Sequence, residues 1–519
     1  MQIVNQIGFK KSAQEGKVFK TYNPVADREN EWEIIEATTT EVDEAVSKAI
    51  TAFADFSTRT GEEKAKFLEA IAEAIEAIGE ELIETYMAES GLPRGRAEGE
   101  RGRTIGQLKA FAAQQREGSW VEAIIDKGNP DRKPMPKPDL RKMLVPMGPV
   151  AVFGASNFPF AFSTAGGDTA SALAAGCPVV VKSHPMHAAT AGLVSGAIAS
   201  AAKATGMPDG VFSNLNSKDH TVGEALVMHP GIKAVGFTGS FRGGMALYKL
   251  AANREEPIPV FAEMGSINPV LLLPSVIGDP TPENWAGQIA GSVNLGAGQF
   301  CTNPGLLIGI KGEGWDDFSA ALTEAISAQQ SQCMLHPAIW NSFKDGKSTI
   351  AGHEHVKLLA ASSSETKANF GEVGLYTINA SDFLSDHSLQ TEVFGPFSLL
   401  VACENAAEMK TVIEALEGQL TGSVLGNPAE LNTFAPQVKA LESKVGRLNF
   451  NSLPTGVEVC ESMNHGGPFP ATTDSRFTSV GLSAIKRWVR PVSFQNWPQE
   501  ALPDALKDEN PLQIQRKMN

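Results

Sequence analysis

The sequence predicts an α/β protein made of two α/β domains with parallel-rich sheets and a small additional β element. Three observations lead there. Between residues 150 and 262 short apolar runs alternate with helical patterns at the spacing of crossover units, which implies a parallel sheet covered on both faces. From 268 to 474 the same alternation returns less cleanly, and strand-like pieces within 120–145 and 486–500 belong to neither run. The length of 519 residues also exceeds what one hydrophobic core usually serves. The expected division is a first domain from 1–119 and 146–265, a second from 266–475, and the extra β element from 120–145 and 486–500.

Val42, Ala45, Val46, Ala49, Ile50 and Phe53 recur at helical spacing, as do Phe67, Leu68, Ile71 and Ile75, so 42–89 reads as amphipathic scaffold helices. A further helix over 103–115 places Thr104, Gln107, Leu108 and Phe111 on one side, bordering a pocket. Proline-rich sequence from Asn129 to Pro138 then separates strand-like pieces at 120–125 and 140–145, a projecting hairpin whose prolines discourage stray edge pairing. Strands follow at 150–153, 178–181, 211–215, 232–237 and 260–262. Helices lie between them at 164–175, closed by Gly176, at 188–205, ended by Gly206 and Pro208, at 222–229 and at 241–252. In the second domain 306–310 and 397–401 are strands. The tail over 488–497 alternates like a strand after most of the fold is complete, so it finishes a sheet elsewhere in the chain or in another subunit.

Charge and cysteine usage bound the function. With 44 Lys+Arg against 59 Asp+Glu the net charge is −15, which disfavours nucleic acid or an anionic membrane surface and favours a small soluble ligand. No stretch reaches the run of about 18 apolar residues that crosses a membrane, and the N-terminus lacks a signal-peptide pattern. Cys177, Cys301, Cys333, Cys403 and Cys460 are odd in number and scattered, with no Cys-x-x-Cys pair. Neither a disulfide framework nor a metal site is expected, and reduced thiols in the cytoplasm fit best.

Six stretches carry chemistry. Cys301 follows Gly296-Ala297-Gly298, which lets backbone approach a ligand closely; Cys177, Cys333 and Cys403 lack such surroundings and read as inert. Asn157 lies in a Ser-Asn-Phe-Pro turn past the strand at 150–153, where it is either a turn cap or an oxyanion donor. Glu263 ends a strand 38 residues before Cys301, and Glu392 precedes a Gly-Pro turn. Thr238, Gly239 and Ser240 turn from a strand into a helix, where amides and the helix dipole face an anion, although the Gly-x-Gly-x-x-Gly fingerprint is absent. Lys182 ends another strand, as a solvated charge or a ligand contact. Taken together, a thiolate can add to an aldehyde carbonyl, an amide can hold the oxyanion, a nicotinamide can take the hydride, and a carboxylate can activate water.

In this order the motifs resemble the NAD(P)-dependent aldehyde dehydrogenase superfamily from about Val42 to Trp497. The resemblance implies that Cys301 is the nucleophile, Glu263 the general base, and Asn157 with the Cys301 amide the oxyanion hole. It further implies that 1–119 with 146–265 bind cofactor, that 266–475 is catalytic, and that 120–145 with 486–500 build a homodimer or homotetramer. Lys182 and Glu392 would hold ribose hydroxyls, Ser240 with Thr238 and Gly239 the pyrophosphate, and Phe394 would lie beside the cofactor. The runs Val152–Pro159, Gly166–Pro178, Pro454–Val459 and His465-Gly466-Gly467-Pro468 resemble the branch holding α-ketoglutaric semialdehyde dehydrogenases and the NADP-dependent fatty aldehyde dehydrogenase of luminous bacteria. Many NAD-preferring relatives carry a glutamate where this chain has Pro185, so NADP is expected, with His220 near its phosphate and NAD possible. The expected substrate is 2,5-dioxopentanoate, with a long-chain aldehyde as alternative and a non-catalytic cofactor-binding scaffold as the reading of another class. Phe158, Phe160 and Phe469 would line an apolar mouth, and Arg103 would be the cationic anchor.

Overall fold

The computed structural model describes residues 2–13, 17–362 and 367–519. Its first seven-stranded sheet runs, from edge to edge, Val260–Glu263, Ala234–Thr238, Val150–Phe153, Val179–Lys182, Phe212–Leu215, Asn5–Ile7 and Lys10–Ser12. The first five of these strands are parallel, and the last two pair antiparallel. All four residues of Val150–Phe153 are buried, which is why that strand reads as an unbroken apolar run. Its neighbours are Val179–Lys182 on one side and Ala234–Thr238 on the other, so the strand order reverses there and a crevice opens at the carboxyl ends. Asn157, Lys182, Ser240 and Glu263 all lie at or just past those ends.

A second seven-stranded sheet runs Lys357–Ala361, Gly374–Asn379, Phe397–Cys403, Leu306–Ile310, Val270–Leu272, Gln419–Leu425 and Val445–Phe450, parallel except at its first pair. The third sheet has four strands. Leu140–Pro146 pairs antiparallel with both Ile124–Asp126 and Val489–Gln495, and Lys517–Met518 adds parallel to Ile124 and Ile125. The late strand therefore pairs within its own chain, through seven registered residues.

Helices Thr39–Phe56 and Gly61–Ile78 begin where Thr38 with Glu41 and Thr60 with Glu63 form capping boxes, each contributing about 1 kcal/mol. The helix expected at 103–115 begins earlier and spans Arg94–Glu117, because Gly95, Gly99, Gly102 and Gly106 dilute the apolar periodicity of its first half. The strand expected from residue 120 starts only at Ile124, after a 3₁₀ turn at Ser119–Val121, and the helix expected from 164 starts at Gly167. The short N-terminal strands carry no expectation from sequence. At two or three residues each they are too brief for alternation to register.

Candidate active site

The loop of Cys301 is held against the second sheet by backbone conformation. Gly296, Ala297 and Gly298 all have positive φ, and a Cβ on Gly298 would sit 2.3 Å from the Gly395 carbonyl. Asn268, at the start of the second domain, donates from Nδ2 to the carbonyls of Cys301 and Asn303, 2.9 Å each. Asn157 donates from Nδ2 to the Gln299 carbonyl at 3.1 Å, tying the turn after Val150–Phe153 to the same loop.

Facing the thiol is a residue whose role the sequence left unassigned. His465, fully buried, places Nε2 3.3 Å from Cys301 Sγ and 3.2 Å from Glu263 Oε2. Only the contact with sulfur has hydrogen-bond alignment; Glu263 Oε2 is left without an aligned partner. The three ligand-type atoms lie within 4.8 Å of one another. Thr478 and Ser479 fix the histidine backbone, the former accepting from its N–H at 2.8 Å and the latter donating to its carbonyl. Because Cys301 and His465 are 164 positions apart, no local motif joins them; the signal was the His465-Gly466-Gly467-Pro468 run itself.

Burial pushes the Cys301 thiol well above its ordinary pKa, and the carboxylates of Glu263 and Glu392 push the same way; its own backbone N–H and Arg447 oppose them. The resting sulfur is thus a thiol beside a base. Glu392, half-buried beside Gly265, is raised to about 7 by desolvation, with a hydrogen bond from the Ser266 amide opposing and the charge of Glu263 adding to the rise.

A tunnel of about 300 Å³ ends at Cys301 and is walled by Phe158, Phe162, Leu295, Phe300, Arg96 and Arg103. Phe158 and Arg103, both expected near a substrate mouth, line this pocket. Phe160 does not line it: its ring is buried against Tyr86, 4.6 Å between centroids, because the turn closed by the Phe162 amide on the Phe158 carbonyl puts Phe158 and Phe162 on one side and Phe160 on the other. Phe469 also differs. It is 58% exposed, meets Phe241 at 6.0 Å, and lines a second cleft of about 440 Å³ with Ser240, Arg242, Gly265 and Glu392.

That second cleft opens beside the strand-to-helix turn expected to face an anion. Ser240 caps Phe241–Ala252 by accepting from the Gly243 amide, leaving the turn after Thr238 and Gly239 facing the opening. Lys182 stands at the edge of the crevice with no ion pair among the described residues; desolvation lowers it to about 8 while Glu36 and Asp219 oppose. Pro185 opens the short turn Pro185–His187, and His220 is exposed just before Thr221–Met228. Phe394 lines a small cavity beside Glu392 and Gly298.

A cysteine in contact with a histidine and close to a carboxylate, opening on a pocket beside two parallel-rich sheets, defines a class, and the family model described as "Aldehyde dehydrogenase family" matches residues 9–468. The chain belongs to that family. It is 47% identical over 477 residues to alpha-ketoglutaric semialdehyde dehydrogenase 2 of Azospirillum brasilense, covering 92% of this chain and 90% of that one. It is 46% identical over 485 residues to alpha-ketoglutaric semialdehyde dehydrogenase of Acinetobacter baylyi, covering 93% and 92%. Among solved structures, 1-pyrroline-5-carboxylate dehydrogenase from Thermus with bound NAD shares the fold, with TM-score 0.77, 20% identity, and 95% and 92% of the two chains covered. Among the described residues no helix is long and apolar enough to cross a membrane.

Proposed function

We propose that this aldehyde dehydrogenase oxidises 2,5-dioxopentanoate to 2-oxoglutarate with NAD(P), through a thioester on Cys301. The observation that carries the reading is the meeting of Cys301, His465 and Glu263 beside the pocket that Cys301 lines, taken with the relatives named for α-ketoglutaric semialdehyde. His465 Nε2 accepts the thiol proton as sulfur adds to the aldehyde carbon; the imidazolium N–H then has Glu263 Oε2 within reach at 3.2 Å. One N–H of the Asn157 amide is spent on Gln299, and the other, with the Cys301 amide, receives the oxyanion. The dinucleotide, when bound, supplies the hydride acceptor. Glu263 then takes a proton from water as it attacks the thioester, releasing the acid and returning the thiol.

Lys182 and Glu392 would hold ribose hydroxyls, Ser240 with the Thr238 and Gly239 backbone the pyrophosphate, and Phe394 would border the nicotinamide end. Pro185 offers no charge against a 2′-phosphate, and His220 stands near that position, so NADP is accepted. Glu36 and Asp219, whose charge reaches Lys182, keep NAD competitive. The enzyme works in the cytoplasm as a homodimer or homotetramer assembled through 120–145 and 486–500. A long-chain aldehyde is the second reading, favoured by the phenylalanine walls of the tunnel.

Measuring kcat/KM for 2,5-dioxopentanoate and an unbranched long aldehyde, each with NADP and NAD, tests both choices. The keto acid is expected to be preferred and both cofactors used; a long-aldehyde preference would overturn the substrate, and a strong NAD preference the reading of Pro185. His465→Ala should lower kcat/KM by about 10²- to 10³-fold at neutral pH, the usual worth of a positioned base. Thiol ionisation would then depend on solvent, so the variant's rate should keep rising with pH where the parent's has levelled. A uniform drop with an unchanged pH profile would assign His465 to structure alone.

A further inference from the structure

Arg103 lines the tunnel and carries an unused edge on its guanidinium. Nη1 donates to the Val457 carbonyl, whereas Nε and Nη2, both shielded from water, have no partner. Those two nitrogens carry N–H groups on the same side of the planar fork, the edge that takes a carboxylate in two parallel bonds. The other charged groups of the wall are committed. Glu100 accepts from the Phe160 and Ala161 amides, at 2.8 and 3.0 Å, and from the Tyr86 hydroxyl at 2.6 Å. Arg96 lies 4.3 Å over Phe158 and 4.7 Å over Phe300, donates to the Asn157 carbonyl and pairs with Glu100.

The aim of the free edge is fixed from outside the tunnel. Val457 belongs to a loop pinned by Arg447, which donates to the Gly456 and Pro454 carbonyls at 2.8 and 2.6 Å, and by the Ser292–Thr455 hydroxyl pair at 2.6 Å. Phe162 supports the guanidinium from 5.6 Å. A desolvated cation with two unmade hydrogen bonds is costly, and a ligand carboxylate is the group that relieves it. We propose that Arg103 is the specificity residue for short ω-oxo carboxylates: its Nε/Nη2 edge takes the distal carboxylate while the aldehyde end meets Cys301. This rests on the aldehyde-oxidising reading of Cys301 and extends it to a substrate class.

The test compares 5-oxopentanoate with pentanal, equal in length and differing in the carboxylate, in the full-length enzyme and in Arg103→Met and Arg103→Lys. The parent should favour the acid, and Arg103→Met should lose about 100-fold in kcat/KM for it, mainly through KM, with a far smaller loss on pentanal. Arg103→Lys, a point charge without the fork, should fall between. Glutarate should inhibit the parent competitively and Arg103→Met weakly. Equal losses on both aldehydes, or glutarate inhibition that survives Arg103→Met, would overturn the assignment. A parent enzyme that prefers pentanal would remove the substrate class while leaving Cys301 chemistry intact, and one that oxidises neither would remove the aldehyde reading itself.

Discussion

Cys301→Ala protein is expected to bind dinucleotide and oxidise no aldehyde, a loss on the order of 10⁴-fold or more in kcat. No other sulfur is placed to substitute. Cys177 and Cys403 are buried in two separate hydrophobic clusters, and Cys333 and Cys460 lie outside the residues that line the tunnel. The measurement is cofactor reduction across an aldehyde panel, with dinucleotide binding followed by fluorescence as the control for folding. Residual turnover within about tenfold of the parent would mean that the oxidation does not pass through this sulfur.

Glu263→Gln is expected to separate the two halves of the reaction. The amide keeps the size and most contacts of the carboxylate but accepts no proton from water, so thioester hydrolysis should slow by about 10²- to 10⁴-fold. The first turnover should survive, giving a burst of reduced cofactor near one per active site followed by a slow steady state. Mass spectrometry of the intact protein should find the acyl group on Cys301. Equal damage to burst and steady state would show that Glu263 acts earlier, through His465, with which it shares a 3.2 Å contact.

How much of this was legible in the sequence depends on how locally each part is written. Cys301, Asn157 and Glu263 stand in short runs whose glycines, turn residues and strand ends carry their own physical signature, and the structure brings all three to one loop. The crossover strands from Val150–Phe153 to Val260–Glu263 were visible because full burial leaves an unbroken apolar run. His465 was hidden because its partner is 164 positions away and nothing in sequence reports that distance in space. Phe160 and Phe469 were misplaced for a related reason: a one-residue change of direction in a turn decides which side an aromatic ring faces. Arg103 was legible as a cation near the tunnel. Which edge of it is free depends on Val457, in a loop that folds back from far along the chain.

The environment of Cys301 also bears on durability. Oxidants and alkylating reagents attack the thiolate far faster than the thiol, and a sulfur surrounded by apolar walls and two acidic side chains spends its idle time in the less reactive form. Peroxide arriving between turnovers meets a poor target, so preparations of this protein should hold their titre in air better than a cysteine enzyme whose sulfur rests ionised.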